Sequence, residues 1–100
     1  MFARVSIYDI PEGRTADAAA SFAGALETIS AARGLSEALF LVSRESNRGI
    51  ALTLWDDQEA MSASRVTASR LRSAAIEAVG GEVVAVDEFE VAVRTRPGDR

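Results

Sequence analysis

Tyr8 is the only tyrosine in the chain, and it shares one side of an alternating stretch with Ser6 and Arg4. An arginine beside a phenol lowers the phenol's pKa and makes it a proton donor or acceptor. Three polar residues on one strand face equally suit dimer contacts or an exposed edge. Trp55, the only tryptophan, has a ring large enough to stack on an aromatic ligand, or to staple the following helix by packing on Ala60 or Met61. Arg65, Arg70 and Arg72 read as a solvated helix face. One of them turned inward would hold an anionic or enolate oxygen. Phe22, Phe40 and Phe89 are core residues by default.

The absent residue types narrow the chemistry. The 100 residues include no His and no Cys, and all 11 basic residues are arginines. Thiol nucleophiles, thiolate metal sites, disulfides, Schiff bases and His-ligated haem are therefore excluded. Any general base must be Asp, Glu or Tyr, or come from the substrate or water. Glu82, Asp87, Glu88 and Glu90 scatter over both faces of a strand and make a poor cation site. A net charge of −4 argues against nucleic acid as a partner, since phosphate binding needs clustered positive charge. No apolar run approaches the roughly 20 residues of a membrane span. Met1 leads straight into a strand-like stretch containing Arg4, which is not a signal-peptide pattern. The expected location is cytoplasmic.

The elements that would position these residues follow from periodicity. Phe2 to Ile10 alternates, with Ala3, Val5 and Ile7 opposite Phe2, Arg4, Ser6 and Tyr8, and is predicted to be a strand. Thr15 to Arg33 is predicted to be a helix capped by Thr15, with Phe22, Leu26 and Ile29 on one stripe, Gly24 allowing close packing, and Gly34 as its stop. Ser36–Ser43 and Ile50–Trp55 read as a hairpin whose polar loop holds Asn47 and Gly49 as turn residues, since both tolerate positive φ. A second helix starts with Asp56 as cap and Glu59 reaching back, and runs to about Val79, where Gly80 and Gly81 end it. Glu82 to Arg94 is predicted to be a long last strand with a bulge at Asp87 and Glu88. Residues 95–100 read as a disordered tail, leaving one domain over 1–94.

This order gives an α+β, ferredoxin-like βαββαβ fold: a four-stranded antiparallel sheet with two helices on one face. Both sheet faces are rich in apolar residues, for example Leu39 and Leu41 against Phe40 and Val42. The uncovered face is therefore expected to meet a second copy of the chain, giving a homodimer.

Three stretches carry a further likeness. They are Phe2-Ala3-Arg4-Val5-Ser6-Ile7-Tyr8, Arg44-Glu45-Ser46-Asn47-Arg48-Gly49, and Leu52-Thr53-Leu54-Trp55-Asp56-Asp57-Gln58-Glu59-Ala60-Met61. The chain resembles, from Phe2 to about Val93, small stand-alone members of the dimeric α/β-barrel superfamily. More narrowly, it is similar to the antibiotic-biosynthesis-monooxygenase-like group of Arg- and Ala-rich actinobacterial proteins. The resemblance implies a homodimer with facing sheets and a pocket between helices and sheet in each subunit. It also implies a possible cofactor-free oxygenation of polycyclic aromatic or polyketide-like molecules, or haem degradation. Trp55 stands where the oxygenases often place a pocket tryptophan. The haem degraders use a His on the following helix and an Asn near the end of the first strand. This chain has Ser62, Ser64 and Arg65 on that helix, and Ser6 and Tyr8 on that strand, so haem ligation fails. The expected ligand-binding set is Tyr8, Trp55, Phe22, Phe40, Met61 and Arg72. No catalytic residue, metal or cofactor is assigned. The alternatives to an enzyme are a non-catalytic binding module and a purely structural dimer.

Overall fold

Seven elements span the part of the chain, residues 1–98, that the computed structural model describes. They are β1 (Phe2–Asp9), α1 (Thr15–Ile29), β2 (Leu35–Ser43), β3 (Arg48–Trp55), α2 (Gln58–Ala63), α3 (Arg65–Glu77) and β4 (Glu82–Glu90). The strands form one antiparallel sheet in the order β2-β3-β1-β4. This is the ferredoxin-like arrangement expected from the element order. The expected tail extends into residues 99 and 100, which lie outside the described residues.

Register sorts the side chains into rows, because residues paired directly across an antiparallel ladder share a face. One face carries the rows Ala38–Thr53–Arg4–Glu88, Phe40–Ala51–Ser6–Val86 and Val42–Gly49–Tyr8–Val83. Helices α1 and α3 cover it, joined by the Ser21 hydroxyl donating to the Ala75 carbonyl at 2.7 Å. The opposite face carries Leu39–Leu52–Val5–Asp87, Leu41–Ile50–Ile7–Ala85 and Glu37–Leu54–Ala3–Phe89. The usual polarity is thus inverted. Arg4, Ser6 and Tyr8 are buried, whereas Leu41 and Phe89 are about half exposed, at 48% and 50%; Phe89, expected in the core, lies instead on the open face opposite Ala3.

Two apolar clusters hold the helices to the sheet. Tyr8, Ile10, Ala18, Phe22, Ile76 and Val79 form one. Ile29, Trp55 and Met61, flanked by Leu26, Ala60 and Leu71, form the other.

Several boundaries differ from expectation for identifiable reasons. The second helix is two helices. Ser64 interrupts it, donating its hydroxyl to the Met61 carbonyl at 2.7 Å while the Arg4 guanidinium donates to the same carbonyl at 2.7 Å. A carbonyl captured by side chains competes with the helical ladder. Asp57, not Asp56, is the cap, accepting the Ala60 amide at 2.8 Å. Helix α1 begins at Thr15 without a side-chain cap and ends at Ile29 rather than Arg33. The Ser30 and Thr28 hydroxyls bond back to the carbonyls of Glu27 and Gly24, and the chain tightens into shorter turns before Gly34 at φ +81.

Strand β4 stops at Glu90 because its partner there is Phe2, the first residue of β1. Its irregularity lies opposite Ile7 and Tyr8, near Val84, rather than at Asp87 and Glu88. Gly24 packs against nothing: a Cβ there meets no atom within 4 Å. Asn47 does take the left-handed turn conformation, at φ 55. Gly49 does not, and its role is close approach, since a Cβ would fall 2.7 Å from Phe40 Cζ and 3.0 Å from Ile10 Cδ1.

Candidate functional site

The inverted face of β1 opens into a hollow between sheet and helices. Arg4, Ser6 and Tyr8 from β1 and Ala51 and Thr53 from β3 line its floor. Phe22, Ala25, Leu26 and Ile29 from α1 and Ala68, Leu71 and Arg72 from α3 line its walls. The cavity volume is about 50 Å³, and the hollow spans about 430 Å³ when its open mouth is included. A cavity of that size suits a few waters. For scale, an engineered cavity of about 150 Å³ takes up benzene. A single ring therefore has to lie partly in the mouth, and a polycyclic one requires side chains such as Leu26 and Leu71 to move.

Arg4 is fully engaged by the protein. It donates to the Ser64 hydroxyl at 3.0 Å, to the Met61 carbonyl, and to Glu88 Oε2 at 2.9 and 3.2 Å. Its guanidinium carbon lies 5.7 Å from the centre of the Trp55 ring, within cation–π range. Glu88 also binds Arg65. Hydrogen bonds from Arg65 and Arg4 outweigh its partial burial and hold the Glu88 carboxyl at about 2, down from 4.5. Of the acidic residues expected to scatter along the last strand, Glu88 thus has a structural role, tying β4 to β1 and α3.

Arg72 contrasts with Arg4. It lines the hollow, half-buried, and among the described residues it makes no hydrogen bond or ion pair with the protein. Burial lowers its pKa and the nearby Arg4 does the same, against the favourable fields of Tyr8 and Glu88. It nevertheless stays a cation at neutral pH, as arginines in proteins do.

Burial pushes the Tyr8 phenol up, more than hydrogen bonding with Ser6 and the charge of Arg72 pull it down. The expectation that a neighbouring arginine would lower this pKa is therefore corrected: desolvation wins. Tyr8 is a hydrogen-bond donor at neutral pH rather than a base.

The structure brings together three of the six expected ligand-binding residues, Tyr8, Phe22 and Arg72, along the hollow. Phe40 stands behind them, stacked on Phe22 with ring centres 4.2 Å apart and planes 4° from parallel. Trp55 and Met61 sit in the second apolar cluster, outside the lining. The Trp55 indole is fully buried and donates to the Thr53 hydroxyl at 2.9 Å. Thr53 is a lining residue that periodicity alone did not single out. Its signal is its register opposite Arg4.

A second hollow, larger at about 640 Å³, lies between the end of α1 and the start of α2. Asp56, Asp57 and Glu59 line it together with apolar residues such as Ile29, Ala32 and Ala60. Among the described residues, no group of acidic side chains is placed to hold a metal ion. No helix among them is long and apolar enough to cross a membrane.

No protein-family model matches the chain, and no curated protein matches it. Solved structures do share its fold. SnoaB from Streptomyces nogalater, a cofactor-independent oxygenase, superposes with a TM-score of 0.74 at 17% identity over 97% of each chain. A candidate antibiotic biosynthesis monooxygenase from Deinococcus radiodurans gives 0.77 at 10% identity, covering 99% of this chain and 100% of its own. MhuD from Mycobacterium tuberculosis, a haem degrader with two haems bound in its active site, gives 0.69 at 17% identity over 96% and 100%. The fold implied by the sequence resemblance is the fold observed.

Haem itself does not fit this chain. There is no His or Cys to ligate iron, the cavity tyrosine is held in its protonated form, and a cavity volume of about 50 Å³ is far too small for a porphyrin.

Proposed function

We propose that the chain is a one-domain cytoplasmic protein that pairs through its open sheet face. Each subunit's hollow then binds a small aromatic molecule, with cofactor-independent oxygenation as the reaction. The observation that carries this reading is the inverted polarity of the sheet. The protein itself satisfies the buried Arg4, so the inner face calls for a ligand at Arg72, which lines the hollow without a protein partner among the described residues, and Val5, Ile7, Leu39, Leu41 and Leu52 facing outward call for a partner. A second copy is the simplest cover, because the same apolar rows on both subunits are self-complementary. A stable contact of this kind buries on the order of 800 Å² per partner.

Oxygenation without a cofactor requires a substrate that supplies its own electrons. A CH2 between activating aromatic groups reacts with one O2 to give a carbonyl and one water, and the reaction begins by ionising the substrate. The hollow holds no neutral-pH base: Tyr8 is kept protonated and the other titratable lining groups are Arg4 and Arg72. The proton therefore leaves to water, or the substrate arrives ionised. The unpaired Arg72 stabilises the resulting negative charge, and the Tyr8 hydroxyl donates a hydrogen bond to it. The apolar walls admit oxygen and limit water.

Oxygen uptake with a panel of phenols, quinols and an anthrone tests this. Uptake of one O2 per product is expected, lowered at least about tenfold by Arg72→Gln. No uptake across the panel overturns the catalytic reading. The missing base favours a second reading, a binding module that holds the same molecule unchanged. A ligand retained through purification with no oxygen uptake would establish it.

A further inference from the structure

Arg72 stands apart from the other described arginines. Arg33, Arg44 and Arg70, which likewise have no protein partner among the described residues, are exposed to water. Arg4 is buried but saturated by Glu88, Ser64 and Met61. Among the described residues, Arg72 alone combines partial burial, a place on a cavity wall and the lack of a counter-ion. A desolvated cation beside a second cation is costly, and an anion removes that cost.

We infer that the hollow takes its ligand as a monoanion, a single-ring aromatic carboxylate whose oxygens pair with Arg72 while the ring rests against Leu26, Ile29 and Leu71. This rests on the second, binding-module reading of the hollow, in which no ionised reaction centre competes for Arg72. The flat fork of the guanidinium matches the two oxygens of a carboxylate. Ser6 and Tyr8 supply hydroxyl donors beside it. One unpaired cation balances one negative charge, so a phosphate dianion would leave a charge uncompensated. With the carboxylate at Arg72, the ring lies partly in the open mouth of the hollow, which spans about 430 Å³ with that mouth included.

Benzoate and its uncharged counterpart benzamide separate the possibilities, with binding followed by calorimetry and by shifts of the Ala25 and Leu71 amide NMR signals. Wild-type protein should bind benzoate about tenfold or more tighter than benzamide, the size of one charge-assisted hydrogen bond. Arg72→Gln should erase that preference and Arg72→Lys should restore part of it. Arg70→Gln, which removes an equal charge from the exposed side of the same helix, should leave it unchanged. Equal binding of the two probes with shifts at the hollow overturns the anion inference and leaves the pocket standing. A preference for benzoate that survives Arg72→Gln also overturns it. Failure of both probes to shift the cavity signals overturns the anion inference and the pocket reading together.

Discussion

Replacing Glu88 by glutamine removes the charge that ties β4 to β1 and α3, and the cost is legible from the geometry. Glu88 accepts from Arg4 at 2.9 Å and from Arg65, and its carboxyl is held at about 2 instead of 4.5. A fall of that size corresponds to about 3 kcal/mol if none of it is screened. The Arg65 side chain is 58% exposed, so water and salt weaken its share. The Arg4 side chain is 4% exposed and keeps its share. About 1–2 kcal/mol should therefore be lost on substitution, or roughly 5–10 °C in Tm for a domain of this size. The pKa is depressed on folding, so the contribution is complete above the unfolded value near 4.5 and is lost as pH falls toward 2. Thermal unfolding of wild type and Glu88→Gln at one protein concentration, from pH 7 down to pH 2, should show a gap that is widest at neutral pH and closes in acid. A gap that stays constant with pH would refute the electrostatic reasoning.

Other substitutions separate packing and capping from chemistry. Gly49→Ala should destabilise by about 1–3 kcal/mol through overpacking, because the new methyl meets the Phe40 ring at 2.7 Å. Chemical denaturation reads this directly, and Phe40→Leu should recover part of the loss. Asp57→Ala should cost about 1 kcal/mol of stability, whereas Asp56→Ala should cost clearly less, because only Asp57 accepts the Ala60 amide. Tyr8→Phe should leave the fold intact and weaken any oxygen uptake with a phenolic substrate, since the ring packing on Phe22 at 4.8 Å is kept while the hydroxyl is lost.

The strands, their order and the hairpin could be read from the chain because period-two alternation and turn residues are local signals. The orientation of the sheet could not. Alternation in Phe2 to Tyr8 separates Arg4, Ser6 and Tyr8 from Ala3, Val5 and Ile7. Ordinary polarity would send the first set to water. Here it faces the helices, since Arg4 finds Glu88, Ser64 and the Met61 carbonyl there. Those partners lie far along the chain, and no local pattern announces them. The break at Ser64 was hidden for the same reason: a helix-compatible stretch is interrupted by a guanidinium 60 positions earlier. Gly49 looked like a turn glycine because its other reason, the Phe40 ring on the neighbouring strand, appears only once register is known. Arg72 could be separated from Arg65 and Arg70 in principle, since it neighbours Ala68 and Ala75, four back and three forward on the buried stripe. Its lack of a partner is a property of the folded chain alone.

Sedimentation equilibrium at micromolar protein puts the inverted sheet to its plainest test. The subunit is 10.6 kDa. A particle of twice that mass is expected, reduced to one subunit by Leu52→Arg in the middle of the outward apolar face. A wild-type protein that stays at the single-subunit mass, with Leu39, Leu41 and Leu52 facing water at that concentration, would contradict it.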